Sequence, residues 1–221
     1  MAGKKITSAL LITLVVMVVN SRAETNSAPK SQANYANLLK FLNTTEAVLI
    51  FSLKTRSDLQ CGVDNYRDTT STNTFISRSY LAYSRGQENH RANVRSSGRS
   101  GMQWHPERLE GQFTSYKGFD AMNTFKGEQA YTTEVLDSQQ EKCAIFTTRA
   151  TSGSDRQDRY EVRVWRSAIK DDGQLECSSF VEKFITKLKN GDLMIPAQPL
   201  ISKCKQMCLN GPCRPEGAEV H

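Results

Sequence analysis

The chain has 221 residues, of which 38% are hydrophobic and 24% charged, and it carries a formal net charge of +6. Lys4, Lys5 and Arg22 precede or close an apolar leader, and without them the excess falls to about +3, too small to mark a nucleic-acid binder. What remains suits one domain of ordinary size with a mixed, solvated surface.

The leader reads as a secretory signal over residues 1–23. The apolar run Ala9 to Val19 is too short to span a bilayer, and Ser21-Arg22-Ala23 supplies small residues at the cleavage positions. No second apolar stretch of membrane length follows. The expectation is an exported, extracellular protein with no membrane attachment.

After a polar stretch, NYANLLKFLNT places Tyr35, Leu38, Leu39 and Leu42 at helical spacing, with Asn34 or Ser31 as candidate caps. Asn43-Thr44-Thr45 is a glycosylation sequon that an export route would expose to modification. AVLIFSLKT (47–55) reads as a strand, as does TFISRSYLAYS (74–84), with Phe75, Leu81 and Tyr83 on one face and Ile76, Tyr80 and Ala82 on the other. Residues 84–103 are basic, rich in Gly and Ser and without apolar periodicity, so a solvated loop is expected there. Shorter strands are predicted at 111–116 and 130–137, then two more at 142–149 and 159–166 around a polar turn.

In RYEVRVW, alternation puts Tyr160, Val162 and Val164 on one face and Glu161, Arg163 and Trp165 on the other. If the aliphatic face packs under a helix, the Glu–Arg–Trp face looks into a lumen; in the opposite orientation it is a solvated exterior. The stretch 178–189 supplies an amphipathic helix through Phe180, Val181, Phe184, Ile185 and Leu188, ended by Asn190-Gly191. Pro196 and Pro199 predict an extended exit before a cysteine-containing tail. Short strands framed by one helix before and one after point to an all-β antiparallel barrel rather than a parallel α/β sheet.

Six cysteines remain in the exported part: Cys61, Cys143, Cys177, Cys204, Cys208 and Cys213. An even number in an oxidising compartment implies disulfides, and residue spacing alone leaves the pairing open. The tail spacing Cys204-x3-Cys208-x4-Cys213 has the look of a metal site, but His105 is distant and His221 terminal, so no metal is expected. Catalytic constellations are absent from the pattern. His90 lies in the basic loop, His105 stands beside Pro106, and Gly98-Arg99-Ser100-Gly101 lacks the setting of a nucleophile elbow. The expectation is a non-enzymatic protein without a cofactor.

The order of these features resembles tick salivary lipocalins of the histamine-binding type. The residues that carry it are the helix NLLKFLNT, the strand AVLIFSLKT leading to Cys61, KCAIFTT, YEVRVW, and Cys177 ahead of SSFVEKF. The resemblance implies an eight-stranded antiparallel barrel over 24–203, with a short N-terminal helix and a C-terminal helix on its wall, and a tail at 204–221. It implies a Cys143–Cys177 disulfide and a second from Cys61 to Cys204 or Cys208. It also implies a monomeric scavenger of a small host mediator, with a complement or haemostasis protein as the alternative partner. In the latter case the basic loop, with Arg85, Arg91, Arg95 and Arg99, is the natural contact surface.

Candidate pocket residues are Phe51, Tyr80, Tyr83, Tyr131, Glu134, Phe146, Glu161, Arg163 and Trp165. Amine-binding members of that family resemble a Cys-Asp pattern followed by Glu-Leu-Trp or Tyr. Here Ala144 follows Cys143, and the later element reads either Glu161-Val162-Arg163 or Arg163-Val164-Trp165. A cation in the pocket repels an amine, so an eicosanoid or other amphipathic lipid held by Arg163 fits these residues better than a biogenic amine.

Overall fold

The structure, a computed structural model, describes residues 35–54, 61–83, 102–151, 158–188 and 191–213. The signal, His90, His221 and residues 84–101 of the basic segment lie outside these.

Eight strands follow one another in a closed antiparallel barrel: β1 (Val48–Ser52), β2 (Gly62–Arg67), β3 (Asn73–Tyr83), β4 (Met102–Tyr116), β5 (Phe119–Lys126), β6 (Gln129–Gln140), β7 (Cys143–Ala150) and β8 (Arg159–Trp165). Each pairs with its neighbour in sequence, and β1 pairs with β8 from Val48↔Trp165 to Ser52↔Glu161, which removes the sheet edges. Three helices accompany the barrel: α1 (Ala36–Leu42), α2 (Ser178–Leu188) and α3 (Gln198–Leu209). This is a lipocalin-type barrel.

Alternation along each strand sorts side chains into two apolar regions. Leu49, Phe51, Ile145, Val162 and Val164 point outward and pack beneath Val181 of α2 and Ile201 of α3. Val48, Ile76, Met122, Leu136 and Phe146 point inward and are covered at one end by Leu38, Phe41 and Leu42 of α1. β1 is therefore buried on both faces, which explains why VLIF is continuously apolar.

Disulfides clasp the outer layer. Cys143 joins Cys177, Cys61 joins Cys204, and Cys208 joins Cys213. The first pins the start of β7 to the start of α2, and the second ties β2 to α3. Asn43 follows the last turn of α1 with its side chain exposed, so the sequon stands at the closed end of the barrel.

Four elements depart from the sequence reading: β5 (FDAMNTFK) is missing from it altogether, and the other three have a local cause. β2 reads GVDNYR, whose Asp64 and Asn65 look like turn residues until the lumen supplies partners for the acid. β4 starts at Met102 rather than Gly111, because Pro106 and the charges of HPERLE hide a strand whose rungs to β3 run from Asn73↔Gln112 to Tyr83↔Met102. The expected extended exit holds from Met194 to Ala197, past Pro196, and α3 then begins where extension through Pro199 was expected. Pro199 sits in its first turn, where a missing N–H costs nothing, and the helix runs straight across the expected boundary at residue 204.

Candidate functional site

The face of β8 carrying Glu161, Arg163 and Trp165 does look into the barrel, because Val162 and Val164 are taken up by the outer apolar layer. Cross-strand neighbours share a face, so Ile50 of β1 and Ala144 of β7 flank Arg163 inside the lumen. The same parity brings Asp64, Arg78 and Glu134 inward from β2, β3 and β6.

These side chains form one ionic layer across the middle of the barrel. Arg78 donates through Nε and Nη2 to the two oxygens of Asp64, both at 2.7 Å, and through Nη1 to Glu134 at 2.6 Å. Arg163 reaches Glu134 through Nη1 at 2.6 Å and Glu161 through Nη2 at 3.0 Å. Glu134 thus bridges two guanidinium groups. Tyr66 donates its hydroxyl to Asp64 at 2.8 Å, Thr132 donates to Glu134 at 2.9 Å, and Thr148 donates to Glu161 at 3.1 Å. The Arg163 guanidinium lies 4.2 Å from the centre of the Phe146 ring, a cation–π contact away from water.

Asp64, Glu134 and Arg163 have no exposed surface, and Arg78 and Glu161 are 1% and 5% exposed. Burial alone would raise the Glu134 carboxyl, but the charges and hydrogen bonds of Arg163 and Arg78 hold it well below the usual carboxylate range. Burial raises the Tyr66 phenol far above its ordinary value, assisted by the negative charge of Asp64. Both arginines stay charged: burial opposes this, and it is outweighed by Asp64 and Glu134 at Arg78 and chiefly by Glu134 at Arg163. Three acidic side chains, Asp64, Glu134 and Glu161, thus face two guanidiniums in the layer. Arg163 retains one buried donor, Nε, without an acceptor.

The layer divides the lumen. On the α1 side it is apolar, and there Trp165 donates its indole N–H to the Phe41 carbonyl at 3.2 Å while Phe41 and Phe146 pack at 6.0 Å. On the opposite side, where β1 ends and β2 begins, Glu161, Thr148, Tyr80, Glu107 and Tyr131 form a polar and aromatic upper part. Tyr80 lies across its partner Gly62, where a Cβ would stand 3.2 Å from the ring. Tyr131 is the extra residue at the β5–β6 register shift, so the strand bulge turns it toward the lumen cluster. Burial raises its phenol, and Glu107 beside it adds to the effect.

The structure thus gathers Tyr80, Tyr131, Glu134, Phe146, Glu161, Arg163 and Trp165 on the inner side. Phe51 is a correction: it has no exposed surface and belongs to the outer layer, because its rung partner Val162 faces α2. The side chain of Tyr83, at the end of β3, lies outside the described residues. Phe146 and Trp165 are held by the α1 plug rather than left open on a pocket. Asp64, Arg78 and Tyr66 escape the sequence reading. Arg78 lies between Ile76 and Tyr80 on a strand whose faces alternation had assigned, so parity alone points it inward. Asp64 carries no such signal, because its strand is not visible in the sequence. Arg163 is not a free anion receptor, since both terminal nitrogens are taken by carboxylates.

No protein-family model matches the chain, and no curated protein matches its sequence. Among solved structures, the chain is similar to japanin from Rhipicephalus appendiculatus bound to cholesterol, with a TM-score of 0.36 and 7% identity. That similarity covers 66% of this chain and 87% of the japanin chain.

Proposed function

We propose that the chain is a secreted, non-enzymatic scavenger of the tick salivary lipocalin type, capturing a small amphipathic host mediator above the ionic layer. The supporting observation is the layer itself. An apolar barrel core needs no buried charges, and replacing such ion networks with hydrophobic side chains is often neutral or stabilising. A barrel that keeps five of them and adds Tyr80 and Tyr131 above them is built for selection rather than for stability alone.

The charge balance sharpens the ligand class. With Arg163 occupied and one carboxylate in excess, an anionic head group meets a net negative floor. A protonated amine meets a complementary one, with Glu161 as the acid of the layer that faces the upper part, and an uncharged lipid meets no repulsion. This shifts the preference from an anionic eicosanoid toward an amine or an uncharged lipid. Export through the secretory route would place a glycan on Asn43 at the closed end, clear of ligand entry.

Native mass spectrometry of the secreted protein against histamine, serotonin, cholesterol and a leukotriene tests this proposal. A one-to-one adduct with an amine or the sterol is expected, and Glu161→Gln should weaken an amine about tenfold or more through loss of a buried charge partner. No adduct with any of the four overturns small-ligand capture. A leukotriene adduct alone overturns the charge assignment.

A further inference from the structure

Outside the barrel, on the β5–β7 side, two hollows of about 340 Å³ each flank one exposed ring, that of Phe119. Phe119 follows the two-residue turn Lys117–Gly118, both residues of which have positive φ (53° and 85°) as a tight hairpin requires. The turn leaves Phe119 54% exposed, unusual for a large apolar ring.

One acid lines both hollows: Asp137. It is the extra residue where the β6–β7 register shifts between Leu136 and Ser138, so a bulge aims it out of the alternation. Its Oδ2 accepts the Thr147 hydroxyl at 2.5 Å, and it makes no ion pair among the described residues. An Asn would serve that hydrogen bond equally well. The charge is therefore superfluous to the bulge, and partial burial opposes it, raising the carboxyl above its usual value.

The neighbouring charges do not answer Asp137. On one side Arg149 is gripped by both oxygens of Asp158 at 2.6 and 2.7 Å and by the Tyr116 hydroxyl at 2.9 Å, while Lys117 lies over the Tyr116 ring. On the other side Lys40 lines the hollow together with Asp137, Glu141 and Asp120, the last receiving the Leu38 N–H, and no ion pair joins Lys40 to Asp137 among the described residues. Two residues beyond Asp137, Gln139 borders this hollow, but its rung with Ala144 turns it inward and its amide oxygen has no exposed surface.

We infer that Asp137 and Phe119 form a second, external binding site, one for a guanidinium group. A planar guanidinium can fork onto the carboxylate and lay its face on the Phe119 ring. A compact ammonium is more strongly hydrated and has no planar face to stack. The group arrives either on a free alkylguanidine or on an arginine side chain of a peptide. The site is independent of what the lumen holds.

The test is an amide NMR titration of the full exported chain with n-butylguanidinium, n-butylammonium and a blocked Gly-Arg-Gly peptide. Saturable shifts are expected at Phe119 and residues 136–140, with butylguanidinium bound at least about threefold more tightly than butylammonium. Asp137→Asn, which keeps the acceptor for Thr147, should weaken binding about tenfold, and Phe119→Ala by a smaller factor. Tighter binding of the peptide than of butylguanidinium identifies a protein-borne arginine, and the reverse a free ligand; both support the site. Shifts confined to Glu161–Trp165, no saturation at millimolar concentration, unchanged affinity in Asp137→Asn, or equal binding of the ammonium would each overturn it.

Discussion

The two faces of β8 lie side by side in one strand and do different work. Outward, Val162 and Val164 join an apolar layer sealed by α2 and α3 and fastened by the Cys143–Cys177 and Cys61–Cys204 disulfides. Inward, Glu161 and Arg163 join an ionic layer in which each group depends on its partners to tolerate burial. The outer face draws its stability from area removed from water, at about 25 cal/mol per Å². The inner face draws little net stability from its charges, since desolvation offsets most of the attraction. It has specificity to offer instead.

The largest test of this contrast is Glu134→Ala. It removes the carboxylate that both arginines share, leaving two buried guanidiniums short of partners, and should cost about 4 kcal/mol in urea unfolding. A cost below about 1 kcal/mol would mean that water reaches the layer and that the lumen is wetter than its burial indicates. Phe51→Ala comes next, with an expected loss of about 3 kcal/mol from a cavity in the outer layer. Ligand affinity in the lumen should stay unchanged in that variant; a parallel loss of binding would show that the two layers are coupled.

The smallest effect is a dependence on pH. The native Glu134 carboxyl is depressed, so its stabilisation is fully present above the unfolded carboxylate value of about 4.3 and fades as pH falls through the much lower native value. The stability difference between the wild type and Glu134→Gln should therefore be flat from neutrality to about pH 5 and shrink only in stronger acid. A decline beginning near neutrality would sink the assignment of Glu134 as the shared, ionised bridge.

Legibility in the sequence varied with how local the cause was. The β7–β8 pair and the α2 helix were readable because alternation and helical spacing are written in adjacent residues. Alternation also assigned the two faces of β8 correctly once the aliphatic one was matched to a helix. It failed for Phe51, since VLIF is apolar at every position and a strand buried on both faces gives no parity signal. It also failed for β2, because Asp64 favours a turn by local preference and becomes a strand residue only when Arg78 is in place to receive it. The α3 helix was obscured by its own prolines, one of which the first turn accommodates.

The sequence by itself determined the barrel class and the shared face of Glu161, Arg163 and Trp165, while the clasp of Cys143 to Cys177 came from the family resemblance. The first two follow from short-range periodicity and residue order; that the shared face turns inward was decided by the packing of Val162 and Val164 under the helices. Only the tertiary structure decided what Arg163 is for. Its charge is answered by Glu134 from a strand 29 residues away, as Arg78 is answered by Asp64 and Glu134 across separations of 14 and 56. Ion pairing depends on distances of a few ångströms, and residues that far apart in the chain come so close only when the barrel closes.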